Sequence, residues 1–259
     1  MTVEQWAQQI IEKELNRRVV VHDDGSQPSM YDLRIGAVEA PEVAIECVGA
    51  VDSVGTATWN VGPGKGPLRL TGVKGDWMIT ISRDANIRTI RRNIESFLCD
   101  LEKRDVRRVS EGILFKRPDD LLLQKLESLG IQHASCVRMP GTGQVHWTME
   151  GSGGAIDSEG SALLQWIEEF LRDSEREDVL RKLRHTGAQE RWVVVPVALG
   201  GTPFSVESYL MGEFECLPAT GPNLPSPVTG IWVASTHGTH GVRWDSAGWR
   251  LFRISDHST

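Results

Sequence analysis

The sequence is sparing with cysteine, has no membrane-length apolar run and carries fewer basic than acidic residues. Only four cysteines occur in 259 residues: Cys47, Cys99, Cys136 and Cys216. They are widely spaced, none forms a C-x-x-C pair, and most sit in apolar contexts. That pattern favours buried thiols in a reducing compartment over a disulfide framework. No apolar stretch approaches the length of a bilayer span, so no membrane partner is expected. The first residues show a polar, helical pattern in place of the basic-then-apolar layout of a secretory signal, and a cytoplasmic location follows as the expectation. Lysine and arginine number 28 against 35 acidic residues, for a net charge of −7. Such a balance excludes a general nucleic-acid coat, which needs clustered cations. It leaves room for an enzyme with carboxylates at its site and basic groups elsewhere. One basic concentration is present, Arg83, Arg88, Arg91 and Arg92 followed by Lys103, Arg104, Arg107, Arg108, Lys116 and Arg117. It reads as the solvated face of a helix and its exit loop.

What is present reads as an α/β chain. Val3, Trp6, Ala7, Ile10, Ile11 and Leu15 recur at three- and four-residue spacing and mark a helix. A β-branched strand follows from Arg18 to His22, stopped by the turn residues Asp23-Asp24-Gly25-Ser26. Further strands are expected over Met30–Ile35, Val43–Val48 and Asp76–Ser82, with a glycine- and proline-rich loop over Asn60–Pro67. Asn86–Arg104 is a long amphipathic helix. Beyond it the pattern predicts a short strand in GILFKR and a helix over Leu121–Leu129 capped by Pro118-Asp119. A strand over Gln144–Met149 comes next, then a Gly-Ser loop from Gly151 to Gly160 and helix over Ser161–Leu183 broken near Asp173. The strand WVVVPV (Trp192–Val197) precedes an irregular stretch to Thr229 and three closing strands near Ile231, Val242 and Trp249.

Asp32 and Glu46 lie inside expected strands among apolar neighbours. An ionised carboxylate there is costly unless it is paired or binds a metal. On these residues the chain resembles a known family. SMYDLRI followed by VAIECV is similar to the PD-(D/E)XK nuclease signature, over about residues 1 to 104. The resemblance implies a restriction-endonuclease-like core (α-β-β-β-β-α) over residues 1–108, followed by a second α+β region over 109–259. It also implies that Asp32 and Glu46 hold Mg²⁺ or Mn²⁺ for phosphodiester hydrolysis. A further ligand comes from the preceding helix in that family. A helical wheel selects Glu14, in the middle of the apolar stripe, over Glu4 at its edge and Glu12 outside it. The family's lysine, two residues after the second acid, is Val48 here. Arg34, on the same strand face as Asp32, is the candidate substitute, and Lys65 and Lys74 are others. Arg34 can equally serve as a structural partner of Asp32 or Glu46.

Two functions follow as expectations. One is a metal-dependent nuclease with Asp32, Glu46 and Arg34 catalytic and Glu14, Asp32 and Glu46 as metal ligands. The other is a catalytically inactive nuclease-fold module for binding or assembly in a bacterial defence or regulatory system, with nucleic acid, a protein or a second copy as partner. The whole chain also resembles a bacterial family without assigned activity, through DDGS before YDLRI, GDWMITI before a long helix, EDVLRKL, and P-x-L-P before an IWV strand. Other motifs carry less. THGTHG (His237, His240) has metal-ligand residues but the glycines of a hairpin tip. GPGKG around Lys65 lacks phosphate-loop spacing. Cys47 points away from Glu46 and is expected to be packed. Ser152 has no nucleophile elbow. Trp232, Trp244 and Trp249 are expected to pack in the core.

Overall fold

A computed structural model describes residues 2–26, 29–110, 120–151, 157–198, 200–212 and 216–254. In chain order its elements are α1 (Val3–Leu15), β1 (Val20–Val21), β2 (Leu33–Gly36), β3 (Pro41–Cys47), α2 (Ser53–Val61), β4 (Leu68–Arg69), β5 (Asp76–Ile81) and α3 (Ile87–Lys103). Then come β6 (Arg108–Ser110), α4 (Asp120–Ser128), β7 (Ile131–Arg138), β8 (Gln144–Met149), α5 (Ser161–Arg172) and α6 (Glu177–Arg184). The chain closes with β9 (Glu190–Val197), α7 (Phe204–Met211), β10 (Gly230–Ser235), β11 (His240–Asp245) and β12 (Gly248–Arg253). These elements divide into two compact units, residues 1–51 with 154–259, and residues 52–153. Among the described residues, no helix is long and apolar enough to cross a membrane.

The first unit is built on a seven-stranded sheet of order β1-β2-β3-β9-β10-β11-β12. Its centre is parallel, β3 beside β9 and β9 beside β10, and the flanking pairs are antiparallel. Both faces are covered. Trp6, Ala7, Ile10 and Ile11 of α1 pack on one face with Val43, Ile45, Trp192, Val194 and Trp232. Leu163, Ile167 and Leu171 of α5, Leu183 of α6 and Leu210 of α7 pack on the other, with Ala44, Val193, Val195, Ile231 and Val233. Residues alternating along β9 thus enter two different cores, which is why WVVVPV is apolar without interruption. The ends of α1 are well specified. Thr2 and Gln5 form a capping box, and Asn16 takes the left-handed conformation (φ 49°) that stops the helix.

The second unit is a five-stranded sheet of order β4-β8-β5-β7-β6. Ile87, Ile90, Ile94, Phe97, Leu98 and Leu101 of α3, and Leu122 and Leu126 of α4, cover one face over Trp77, Ile79, Ile81, Ala134, Val145 and Trp147. The helix α3 begins where Asn86 accepts a hydrogen bond from the Thr89 N–H.

The mixed α/β class agrees with the sequence, but the grouping of strands differs from the expected contiguous core. The strand DWMITI, expected as the fourth of the first sheet, is β5 and pairs with β7 and β8 in the other sheet. Its alternation explains the outcome. Trp77, Ile79 and Ile81 are buried whereas Met78 is 40% exposed, so this strand suits a sheet covered on one side. The place beside β3 requires apolar residues on both faces, which β9 supplies. The boundary expected near residue 108 falls inside the second unit, at the start of β6. The chain instead returns to the first unit at residue 154. Five elements had no counterpart in the sequence reading: α2, which lacks charged residues, the short strands β4 and β6, the longer β7, and α7, which follows Pro203. The Asn60–Pro67 loop is the end of α2 and a short 3-10 turn, Pro63–Lys65. The GILFKR strand, the Pro118-Asp119 cap, Lys116, Arg117 and Ser152 lie outside the described residues.

Candidate functional site

The pairing of β2 with β3 sets Leu33 opposite Ile45, and thereby brings the residues just before Leu33 to those just after Ile45. Asp32 enters the sheet here. Its Oδ2 accepts a 2.6 Å hydrogen bond from the Cys47 N–H. Glu46, 2% exposed, points to the face covered by α5 to α7, whereas Cys47 packs on the α1 face. Facing Glu46 from α6 is Lys182, whose Nζ stands 3.4 Å from both carboxylate oxygens. Lys182 also reaches Asp178 at 4.0 Å. The Oε2 of Glu46 accepts from Lys182, but the buried Oε1 has no hydrogen-bond donor among the described residues.

Burial dominates the electrostatics. It pushes the Glu46 carboxyl up to about 8, helped by the charge of Asp32 and opposed by Lys182. The Asp32 carboxyl is raised for the same reason, against the pull of the Cys47 N–H and Lys182, with Glu4 and Asp23 adding repulsion. Burial works against the Lys182 ammonium, but Glu46 and Asp32 outweigh it and raise its pKa. The Cys47 thiol is driven well above its ordinary value by burial and by Asp32, and stays protonated. The cluster thus sets a charged lysine against a carboxyl whose hold on its proton is strengthened by burial.

The other sequence candidates lie elsewhere. Glu14 Oε1 is 3.6 Å from Arg243, a 6% exposed arginine on β11 that also pairs with Asp245 at 3.4 Å and stacks over Trp232 at 5.0 Å. Four inter-strand steps separate β2 from β11, about 19 Å at roughly 4.8 Å each. The helix crosses the sheet obliquely, contacting β1, β3, β9 and β12. Its first turn, with Glu4, therefore lies within electrostatic reach of Asp32, while its last turn lies with β11. The wheel identified the inward face of α1 but carried no information on which strand lies under each turn. Arg34 donates from Nη1 to the Gly36 carbonyl, and its charge acts on His22 and Tyr31, which stack at 4.0 Å. Lys65 and Lys74 belong to the second unit. His237 and His240 occupy the β10–β11 connection and the first residue of β11, the expected hairpin tip. Trp232 is buried, and Trp244 and Trp249 pack against the core.

Lys182 was the residue that sequence reasoning passed over. A signal existed: Val179 and Leu183 are the buried positions of α6, and Lys182 lies three residues after one and beside the other. A cation at the margin of a buried stripe calls for an acid on the facing strand. Among the described residues, no group of three or more His, Cys, Asp or Glu side chains is arranged to hold a metal ion. Two carboxylates do suffice for Mg²⁺ when water and substrate phosphate complete its shell. Asp32 has one oxygen anchored by the Cys47 N–H, and Glu46 has one oxygen without a donor among the described residues. Compared with protein-family models, with curated proteins and with solved structures, the chain gives no match.

Proposed function

We propose that the first unit is a restriction-endonuclease-like core, interrupted in sequence by the second unit, that hydrolyses phosphodiester bonds of nucleic acid. One observation carries this reading. A strand-end aspartate, a buried strand glutamate and a helix lysine converge from three elements, and one glutamate oxygen lacks a donor. Lys182 supplies, from α6, the cation that the nuclease signature places at the position of Val48. The cluster also lies at the carboxyl end of the parallel strand β3, where open α/β sheets bind ligands.

In this reading Asp32 and Glu46 would hold a Mg²⁺ or Mn²⁺ ion. Such an ion supplies a nucleophilic water near neutral pH and neutralises phosphoryl charge. Asp32 is held in place by the Cys47 N–H, which leaves its Oδ1 for a ligand. Glu46 would hold the ion only when ionised, so cation affinity would rise with pH up to about 8. The Lys182 ammonium keeps its charge throughout this range and stabilises negative charge developing on the phosphate. A second reading follows from the same contact. Lys182 neutralises Glu46 in place of a metal, and the core serves as an inactive binding or assembly module.

Cleavage assays separate the two. Purified protein is incubated with plasmid, single-stranded DNA and RNA, with Mn²⁺, Mg²⁺ or EDTA. The nuclease reading expects metal-dependent cleavage that falls by about 100-fold or more in Lys182→Met and in Glu46→Ala. Equal cleavage by wild type and Glu46→Ala, or none with either metal, contradicts it.

A further inference from the structure

The sheet face of the second unit that no described helix of this unit covers has a composition that the fold does not require. Trp77, Ile79, Ala134, Val145, Trp147 and Val109 point to α3 and α4. Their neighbours point the other way, where no described helix of this unit packs. The register lays them out in rows. One row runs His146, Met78, Ser135, Arg108, and the next runs Thr148, Thr80, His133, Ser110. Arg69 stands beside Gln144 on the outermost strand, two residues from His146. Both edge strands therefore present an exposed arginine, Arg69 on β4 and Arg108 on β6, and between them lie two histidines and four hydroxyl groups. Neither arginine side chain has an ion-pair or hydrogen-bond partner among the described residues.

Carboxylates are missing from these rows. Of the two acids of matching parity, Asp76 is turned into the β7–β8 connection, where it accepts from the N–H and hydroxyl of Thr142 and the N–H of Gln144, and Glu150, just past the end of β8, is held by Gln132 and Arg83. Charge divides between the units in the same sense. Residues 52–153 contain 15 of the 28 basic and 12 of the 35 acidic residues, net +3, which leaves 13 against 23, net −10, for the first unit. A chain that is acidic overall thus keeps one arginine-edged surface whose two rows carry no carboxylate.

We infer that this face binds a single strand of nucleic acid through its phosphate backbone; the choice of occupant rests on the phosphodiesterase reading of the Asp32 cluster. The five strands span about 19 Å, four gaps of roughly 4.8 Å, enough for several nucleotides. Arg69 and Arg108 pair with phosphates at the two margins. The hydroxyls of Ser135 and Ser110 donate to phosphate and sugar oxygens between them, while those of Thr80 and Thr148 bond to each other and to the Ile79 carbonyl. Exposed Met78 and Val137 supply apolar contact. No Phe, Tyr or Trp lies on these rows to stack a base, so the phosphate contacts dominate and binding is strongly salt-dependent, with dissociation constants around 10⁻⁶ to 10⁻⁴ M.

The test is fluorescence anisotropy with fluorescein-labelled oligo-dT and oligo-U, full-length protein and EDTA to prevent cleavage. Wild type is expected to bind at low salt and to lose affinity steeply as salt rises. The double variant Arg69→Glu/Arg108→Glu should bind at least about tenfold more weakly, with an unchanged melting temperature to show that it folds. Arg88→Glu/Arg92→Glu, on α3 in the opposite layer, should bind like wild type. Equal affinity of the Arg69/Arg108 variant and wild type, or no binding at low salt, overturns the inference. Binding lost in that variant from a protein that never cleaves supports this surface and refutes the catalytic reading alone.

Discussion

Replacing Glu46 by glutamine is expected to remove a fall in stability that the wild-type protein shows between about pH 5 and 8. The Glu46 carboxyl has an ordinary value of 4.5 and is raised to about 8 in the fold. Between these values the folded chain keeps a proton that the unfolded chain has lost, so stability declines as pH rises through the window and levels off above it. One pKa unit corresponds to about 1.4 kcal/mol, so a shift of this size on a 2% exposed group amounts to several kcal/mol. Asp32, also raised by burial, contributes a decline of the same sign in both proteins. His22 and His133 have pKa values lowered by burial and act in the opposite sense below about pH 6.5. Both effects are common to the two proteins and cancel in the comparison. Urea denaturation at closely spaced pH values measures the difference. Parallel curves for wild type and Glu46→Gln would show that Glu46 is ionised at neutral pH, and the pH-dependent cation affinity would then be lost from the account.

Arg243→Ala is expected to destabilise the protein by about 3–5 kcal/mol, because it strips the cation from two partly buried carboxylates and from the face of Trp232. The side chain is 6% exposed, so its removal also leaves a void among packed groups. Glu14→Gln, at the more accessible end of the same contact, should cost no more than about 1 kcal/mol. Neither substitution should alter metal-dependent cleavage or cation affinity, since this network lies across the sheet from Asp32. Chemical denaturation gives the stabilities and the cleavage assay gives the second result. Loss of cleavage in Glu14→Gln with an intact fold would return Glu14 to the catalytic centre and contradict its assignment to Arg243.

The two carboxylates were legible in the sequence because polar residues inside apolar strands stand out, and because neighbouring strands joined by a short connection pair with each other. The core-facing stripe of α1 and the buried character of β9 were legible for the same reason: local periodicity records how many faces of an element are covered. What periodicity does not record is the partner. The alternation of DWMITI contained the information that one of its faces is open, yet position in the chain suggested the first sheet. The orientation of α1 across its sheet depends on packing against strands that come nearly 200 residues later, Trp192 and Trp232 among them, so the position of Glu14 was not readable from a wheel. Lys182 is separated from Glu46 by 136 residues, and only the crossover from β3 to β9 brings α6 over that strand.

The most direct test of the central claim is Mn²⁺ binding followed by electron paramagnetic resonance at pH 8.5, where Glu46 is free to ionise. The account predicts that wild type takes up the ion, that Glu46→Gln and Asp32→Asn each lose this uptake, that Glu14→Gln retains it, and that wild-type affinity drops on moving to pH 6.5. Absence of Mn²⁺ uptake by the wild-type protein, or uptake undiminished in Glu46→Gln, would contradict it.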